Sequence, residues 1–190
     1  MNGPTLGAEL GGGGKRTGVF LDRDGTLMED VGYPRDPEQV RLLPGVPDAL
    51  RQLQQAGARL IIVSNQSGIG RGLITPDQAK AVHERLIQQL EGHDVIIDAS
   101  RYCPHAPGER CACRKPSPVM LQLAASGLGI ELGASYMIGD KESDVEAGRR
   151  AGCRTVLLSL GSDTGVTTSA DHVARDLSEA CGLLLAGARA

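Results

Sequence analysis

The sequence predicts an α/β fold, a Rossmann-like doubly wound parallel sheet, and three observations carry that prediction. Short apolar runs recur along the chain and end abruptly in charged or polar residues, as in "GVFLD" (18–22), "RLIIVSN" (59–65) and "SYMIGD" (135–140). Buried parallel strands read this way because both of their faces are covered. Segments with helical periodicity lie between the runs, and strand, helix, strand is the unit from which a parallel sheet is built.

The elements follow in order. After the first strand, "RDGT" (23–26) is a turn. Val46, Ala49, Leu50 and Leu53 repeat at helical spacing, with Gly57 as a natural stop before the second strand. "TPDQAKAVHERLIQQLEG" (75–92) opens on a capping box, Thr75 with Gln78, has Pro76 in the first helical position, and places Ala79, Val82, Leu86 and Leu90 on one face. "DVIIDASRYC" (94–103) reads as a third strand and "SPVMLQLAASGLG" (117–129) as a helix capped by Ser117. "SYMIGD" is a fourth strand, "SDVEAGRRAG" (143–152) a helix ending at Gly152, "TVLLSL" (155–160) a fifth strand, and residues 177 to 186 a final helix.

With 190 residues the chain suits one domain, expected over 18–190, behind a flexible tail over 1–17. One Phe, three Tyr and no Trp leave the core to Leu, Val, Ile and Ala, and make stacking on aromatics a poor way to hold a base. A net charge of -3 gives no general attraction to nucleic acid or to an anionic membrane. No apolar run approaches the roughly 18 to 20 residues that span a bilayer, and the first residues lack the apolar stretch of a signal peptide. A cytoplasmic protein without nucleic-acid or membrane partners is expected, and a monomer.

In an open parallel sheet the ligand site lies beyond the carboxyl ends of the strands. That rule gathers Asp22, Asp24, Ser64, Asn65 and Asp140 at one edge from three distant stretches. An isolated D-x-D is commonly an acidic surface turn, but here the pair follows a buried strand and Gly25 permits a tight turn. Converging carboxylates repel one another, so a hard cation with oxygen ligands is expected, and Mg2+ suits a site that also handles phosphate. Phosphate monoesters need acceleration of up to about 10^21-fold, and an anionic nucleophile must approach an anionic phosphoryl group. The metal, Lys115 and Ser64 are suited to offset that repulsion.

A second cluster has the spacing C-x-H-x5-C-x-C: Cys103, His105, Cys111 and Cys113. Four such ligands with no vacant position describe a structural tetrahedral Zn2+ site better than a catalytic one. Free thiols in an exposed loop are the alternative. Arg114 and Lys115 follow the last ligand directly, so folding around zinc would set where these two cations point. Cys153 and Cys181 read as small buried apolar residues.

"DRDGT", "IIVSN", the lysine of "CRKP" and "MIGDKESD", in this order, resemble the four motifs of the haloacid dehalogenase (HAD) superfamily of phosphohydrolases. The resemblance spans roughly residues 18 to 160 and implies the HAD type of sheet without a large cap domain. It implies that Asp22 is the nucleophile, forming an aspartyl-phosphate, and that Asp24 is the general acid and then the base. It implies that Ser64 and Lys115 hold the phosphoryl group, and that Asp22, the Asp24 main-chain carbonyl and Asp140 hold Mg2+. Asp144 is expected either to orient bound water or to cap its helix. The zinc loop ending in "CRKP", with "NQSGIGRG" and "DVGYPRDP", further resembles the family of D-glycero-D-manno-heptose 1,7-bisphosphate 7-phosphatases. That resemblance implies a small phosphorylated sugar as substrate, contacted by Asp30, Val31, Gly32, Tyr33, Ser64, Asn65, Gln66, Ser67, Arg114, Lys115 and Lys141. Arg114 would bind the phosphate that is not transferred. Histidinol-phosphate phosphatases carry a comparable loop and are the neighbouring alternative; a zinc-loop nucleic-acid-binding module is the alternative from another class.

Overall fold

The computed structural model describes residues 16–159 and 167–187. The expected tail over 1–17 lies outside the described residues except for its last two positions, and so does Leu160 at the end of the fifth predicted strand.

In chain order the regular elements are β1 (Gly18–Leu21), α1 (Val46–Gln55), β2 (Arg59–Asn65), a single-turn α2 (Ser67–Gly70), α3 (Pro76–Glu91), β3 (Ala99–Cys103), α4 (Val119–Leu128), β4 (Tyr136–Gly139), α5 (Glu142–Ala151), β5 (Arg154–Leu158), β6 (His172–Ala174) and α6 (Leu177–Gly187). The strands form one sheet in the order β3-β2-β1-β4-β5-β6, with every neighbouring pair parallel. The register aligns Leu21 with Ile62 on one side and Ile138 on the other. Asp22, Ser64 and Asp140 therefore arrive at the same edge.

Side chains alternate across the sheet, and each face has its own core. Val19 and Leu21 point into the layer formed with α1, α3 and α6, where Leu50, Leu53, Leu86, Leu90 and Leu184 are buried. Phe20 points the other way, against Met120, Leu121 and Ala124 of α4 and Ala147 of α5. Helices on both faces make the sheet doubly wound, as predicted.

The capping box of α3 forms in both directions: Gln78 N donates to Thr75 Oγ1 at 3.1 Å and Thr75 N donates to Gln78 Oε1 at 2.9 Å. The apolar face of that helix is buried as its spacing demands. Two readings need adjustment. The third strand begins only at Ala99, because Val95 plugs the core while the Asp98 carboxylate accepts from Leu60 N at 2.8 Å and from Arg59 Nη1 at 2.6 Å. Pro118, not Ser117, occupies the N-cap position of α4. Ser117 Oγ still accepts from Val119 N at 3.4 Å, and it also donates to Ala112 O, tying the start of the helix to the cysteine loop. The short edge strand β6 had no signal in the sequence beyond one buried alanine in three residues.

Candidate active site

Asp22 follows the last residue of β1 and is buried, with its backbone N–H bonded to Ile138 O of β4. Lys115 reaches it from the far end of the cysteine loop. The Lys115 ammonium lies 2.6 Å from Asp22 Oδ1, 2.6 Å from Asp144 Oδ1 and 2.7 Å from Val63 O, so three acceptors take its three protons. Its backbone is fixed as firmly, because Asn65 donates to Lys115 O at 3.1 Å and accepts from Lys115 N at 3.0 Å. Burial alone would lower the Lys115 pKa, but Asp22 and Asp144 carry it above its ordinary value.

Asp144, expected either to orient bound water or to cap its helix, does cap the helix and also takes a second partner. One oxygen accepts from Lys141 N at 3.1 Å and caps α5, while the other holds Lys115. Burial pushes its carboxyl up to about 6, against the opposing pull of Lys115. Asp140 is also pushed up by burial, opposed by Lys141 and reinforced by Asp22. One oxygen each of Asp22, Asp140 and Asp144 lies within 4.8 Å of the others. Two like charges at that separation repel by about 3 kcal/mol at an effective dielectric near 20.

A hard divalent cation fits this cluster on three grounds. The donor set is all carboxylate, Asp140 Oδ1 is buried without a hydrogen-bond partner, and the adjoining turn is shaped to leave the Asp140 carboxylate room. Gly25 has φ +83°, and a Cβ there would collide with Asp140 Oδ2. Asp24 directs its carboxylate elsewhere, to Arg23 and Gln66.

A cleft of about 310 Å³ opens above these groups. It is lined by Asp22, Asp24, Asp30, Gly32, Tyr33, Ser64, Asn65, Gln66, Ser67, Arg114, Lys115 and Lys141, and by Ser143 and Asp144, which the sequence had not singled out as contacts. Val31 is exposed beside it without lining it. Lys141 bridges the mouth, 3.1 Å from Asp30 Oδ2 and 3.6 Å from Asp140 Oδ2. Burial would raise the Asp30 pKa, but the Gly32 N–H and Lys141 hold it below its ordinary value.

Cys103, His105, Cys111 and Cys113 converge at the side of the cleft. Cys103 Sγ is 3.1 Å from Cys113 Sγ, 3.7 Å from Cys111 Sγ and 3.4 Å from His105 Nδ1. Burial pushes the Cys103 thiol up to about 12, so a soft cation would be needed to draw it into the thiolate form. Soft donors so close, with one oriented ring nitrogen, suit a tetrahedral metal. The loop also docks on α2: Gly70 N donates to Pro104 O at 2.8 Å, and a Cβ at Gly70 would strike Ala106 N and Pro104 O. Of the glycines in "SGIGRG", Gly70 thus serves a close backbone contact, while Gly68 lies against the Tyr33 and Ile74 side chains.

A six-stranded parallel sheet that gathers carboxylates, a hydroxyl and a buried lysine at its carboxyl edge defines a hydrolase of the haloacid dehalogenase class without a large cap domain. Residues 112–180 match the HAD-hydrolase-like family model. The D-glycero-beta-D-manno-heptose-1,7-bisphosphate 7-phosphatase of Salmonella typhi is 41% identical over 164 residues, covering 82% of this chain and 86% of that protein. The protein of the same name from Escherichia coli (strain K12) is 40% identical, covering 82% and 85%. The crystal structure of the D,D-heptose 1,7-bisphosphate phosphatase from B. bronchiseptica, complexed with magnesium and phosphate, superposes with a TM-score of 0.81 at 32% identity, covering 90% of this chain and 99% of that one. The chain belongs to this family of phosphatases.

The raised carboxyls give a signed expectation. Asp144, with an ordinary value of 3.8 and a folded value of about 6, binds its proton more tightly in the folded chain than in the unfolded one. Its contribution to stability is present below the unfolded value and is lost as pH rises through about 6. The melting temperature of metal-free protein should therefore fall between about pH 5 and about pH 7, and Mg2+ should raise it more at the higher pH. An equal Mg2+ effect at both values would contradict a cation site built from these carboxylates.

Proposed function

We propose that this chain is a Mg2+-dependent phosphatase that removes the 7-phosphate of D-glycero-D-manno-heptose 1,7-bisphosphate through an aspartyl-phosphate on Asp22. The single observation that carries the reading is the Lys115 ammonium, held 2.6 Å from the Asp22 carboxylate in the floor of the cleft. The names borne by relatives at 40% identity supply the substrate.

An Asp22 oxygen attacks phosphorus as the bond to the sugar 7-oxygen breaks, and Asp24 gives that oxygen its proton. Asp24, now a carboxylate, takes a proton from water as the water attacks the aspartyl-phosphate, which releases inorganic phosphate and restores Asp22. Ser64 donates a hydrogen bond to the phosphoryl oxygens, and Lys115 offsets their charge throughout. Asp22, Asp140 and the Asp24 main-chain carbonyl would hold Mg2+, with Asp144 beside them. When bound, the metal neutralises phosphoryl charge as a Lewis acid. Arg114 would take the 1-phosphate with its guanidinium fork, and Lys141 with the 30–33 loop and residues 65–67 would line the sugar.

In the same reading Cys103, His105, Cys111 and Cys113 hold a structural Zn2+, since a four-ligand site leaves no open position for substrate. The Arg114 guanidinium donates to His105 O at 3.4 Å, which links the loop to the phosphate-binding end. Residues 18–190 act as one domain, as a monomer in the cytoplasm, on a small soluble sugar phosphate and without nucleic acid. Among the described residues no helix is long and apolar enough to cross a membrane.

Phosphate release with Mg2+ from both anomers of the heptose bisphosphate, beside histidinol phosphate and fructose 1,6-bisphosphate, tests the substrate. Preference for a heptose anomer is expected; preference for histidinol phosphate overturns the assignment. Asp22→Asn should retain less than a few per cent of turnover in a folded protein free of deamidation. Stripping zinc should lower activity by releasing Arg114 and Lys115, and full activity in demonstrably zinc-free protein would refute that role.

A further inference from the structure

Arg23 stands between the two aspartates of "DRDGT", is only 3% exposed, and does not line the cleft. Its guanidinium grips both oxygens of Asp24: Nε donates to Oδ2 at 3.0 Å and Nη2 donates to Oδ1 at 3.0 Å. Nη2 also donates to Gln66 Oε1 at 2.9 Å. Because a guanidinium only donates, the Gln66 oxygen must face it, and both amide hydrogens of Gln66 are left for other acceptors. They go to Asp24 Oδ2 at 2.9 Å and Ser64 Oγ at 2.8 Å. The Gln66 amide is thereby saturated inside the protein, although the residue borders the cleft.

We infer that Arg23 and Gln66 are positioning residues that set the carboxylate of Asp24 and the hydroxyl of Ser64 as one unit. The inference rests on the acid/base and donor roles proposed for those two residues. A carboxylate gripped on both oxygens by a planar fork has its plane as well as its place fixed. Once Asp24 has given up its proton, the guanidinium charge offsets its repulsion from the acids around it. Ser64 Oγ accepts from Gln66, which leaves the hydroxyl hydrogen free to donate into the cleft. Gln66 is itself anchored, since its backbone N–H bonds to Cys103 O at 2.7 Å. The network therefore joins strand ends β1 and β2 to the cysteine loop.

The test compares kcat/KM for the heptose bisphosphate with kcat/KM for p-nitrophenyl phosphate. This parameter covers the steps up to departure of the leaving group, and nitrophenolate departs without a proton from the enzyme. Arg23→Lys keeps the charge and loses the fork. It should lower kcat/KM for the sugar ester by about tenfold or more, up to the 10^2- to 10^4-fold that general acids contribute, and change the aryl ester by less than about threefold. Asp24→Asn, the reference, should move the aryl-to-sugar ratio in the same direction. If Asp24→Asn shifts the ratio and folded Arg23→Lys does not, the positioning role is overturned while the acid assignment stands. If Asp24→Asn leaves the ratio unchanged, the acid assignment falls and the inference with it. Should the lysine variant fail to fold, Arg23→Gln, which also loses the fork and lies outside the cleft lining, must raise the same ratio; an unchanged ratio overturns the inference.

Discussion

The contact on which the site depends is a lysine ammonium shared between two buried aspartates. Lys115 satisfies Asp22, Asp144 and a backbone carbonyl at once, and without it the carboxyl edge of the sheet would hold buried acids in mutual repulsion. One ammonium cannot neutralise the whole cluster. Asp140 and Asp144 stay reluctant to ionise, and that shortfall is what a divalent cation and then a phosphoryl group would exploit. Charge imbalance, more than any single ligand, makes this edge a place for anion chemistry.

Lys115 comes from a loop, and loops are poor platforms for a group that must sit within a fraction of an ångström. This one is held at several points. Asn65 pairs with the Lys115 backbone in both directions, Gln66 N bonds to Cys103 O, Gly70 N bonds to Pro104 O, and Ser117 returns to Ala112. The cluster of three cysteines and a histidine closes the loop from within. Three of these anchors lie in residues 65–70, which run on from the last residue of the second strand. The stretch that borders the cleft is thus also the stretch that aligns the cysteine loop, and the two features that first suggested a sugar-phosphate enzyme are one mechanical assembly.

Much of this was legible in the sequence because it is local. Strand ends are written in abrupt polarity changes, and the α3 cap is written in Thr75 and Gln78. Asp22, Ser64 and Asp140 could be brought together by topology alone, since parallel strands share one carboxyl edge. What could not be read depends on side-chain direction. The ion pair of Asp144 with Lys115 could not be read, because the two lie 29 positions apart in sequence. Nothing in the sequence singles out Arg23, because burial of its guanidinium is a property of packing. The late start of β3 was hidden by "VII" (95–97), whose residues plug the core or face solvent instead of pairing.

Everything proposed about the chemistry turns on Asp22 carrying the phosphoryl group. The most direct measurement is to quench the enzyme in acid during turnover of the heptose bisphosphate with Mg2+ and to map covalent phosphate by peptide mass spectrometry. The account predicts one phosphoryl group on the peptide containing Asp22, at Asp22 itself and lost in the Asp22→Asn variant. Phosphate on another residue, or rapid turnover with no covalent phosphate at any quench time, would contradict it.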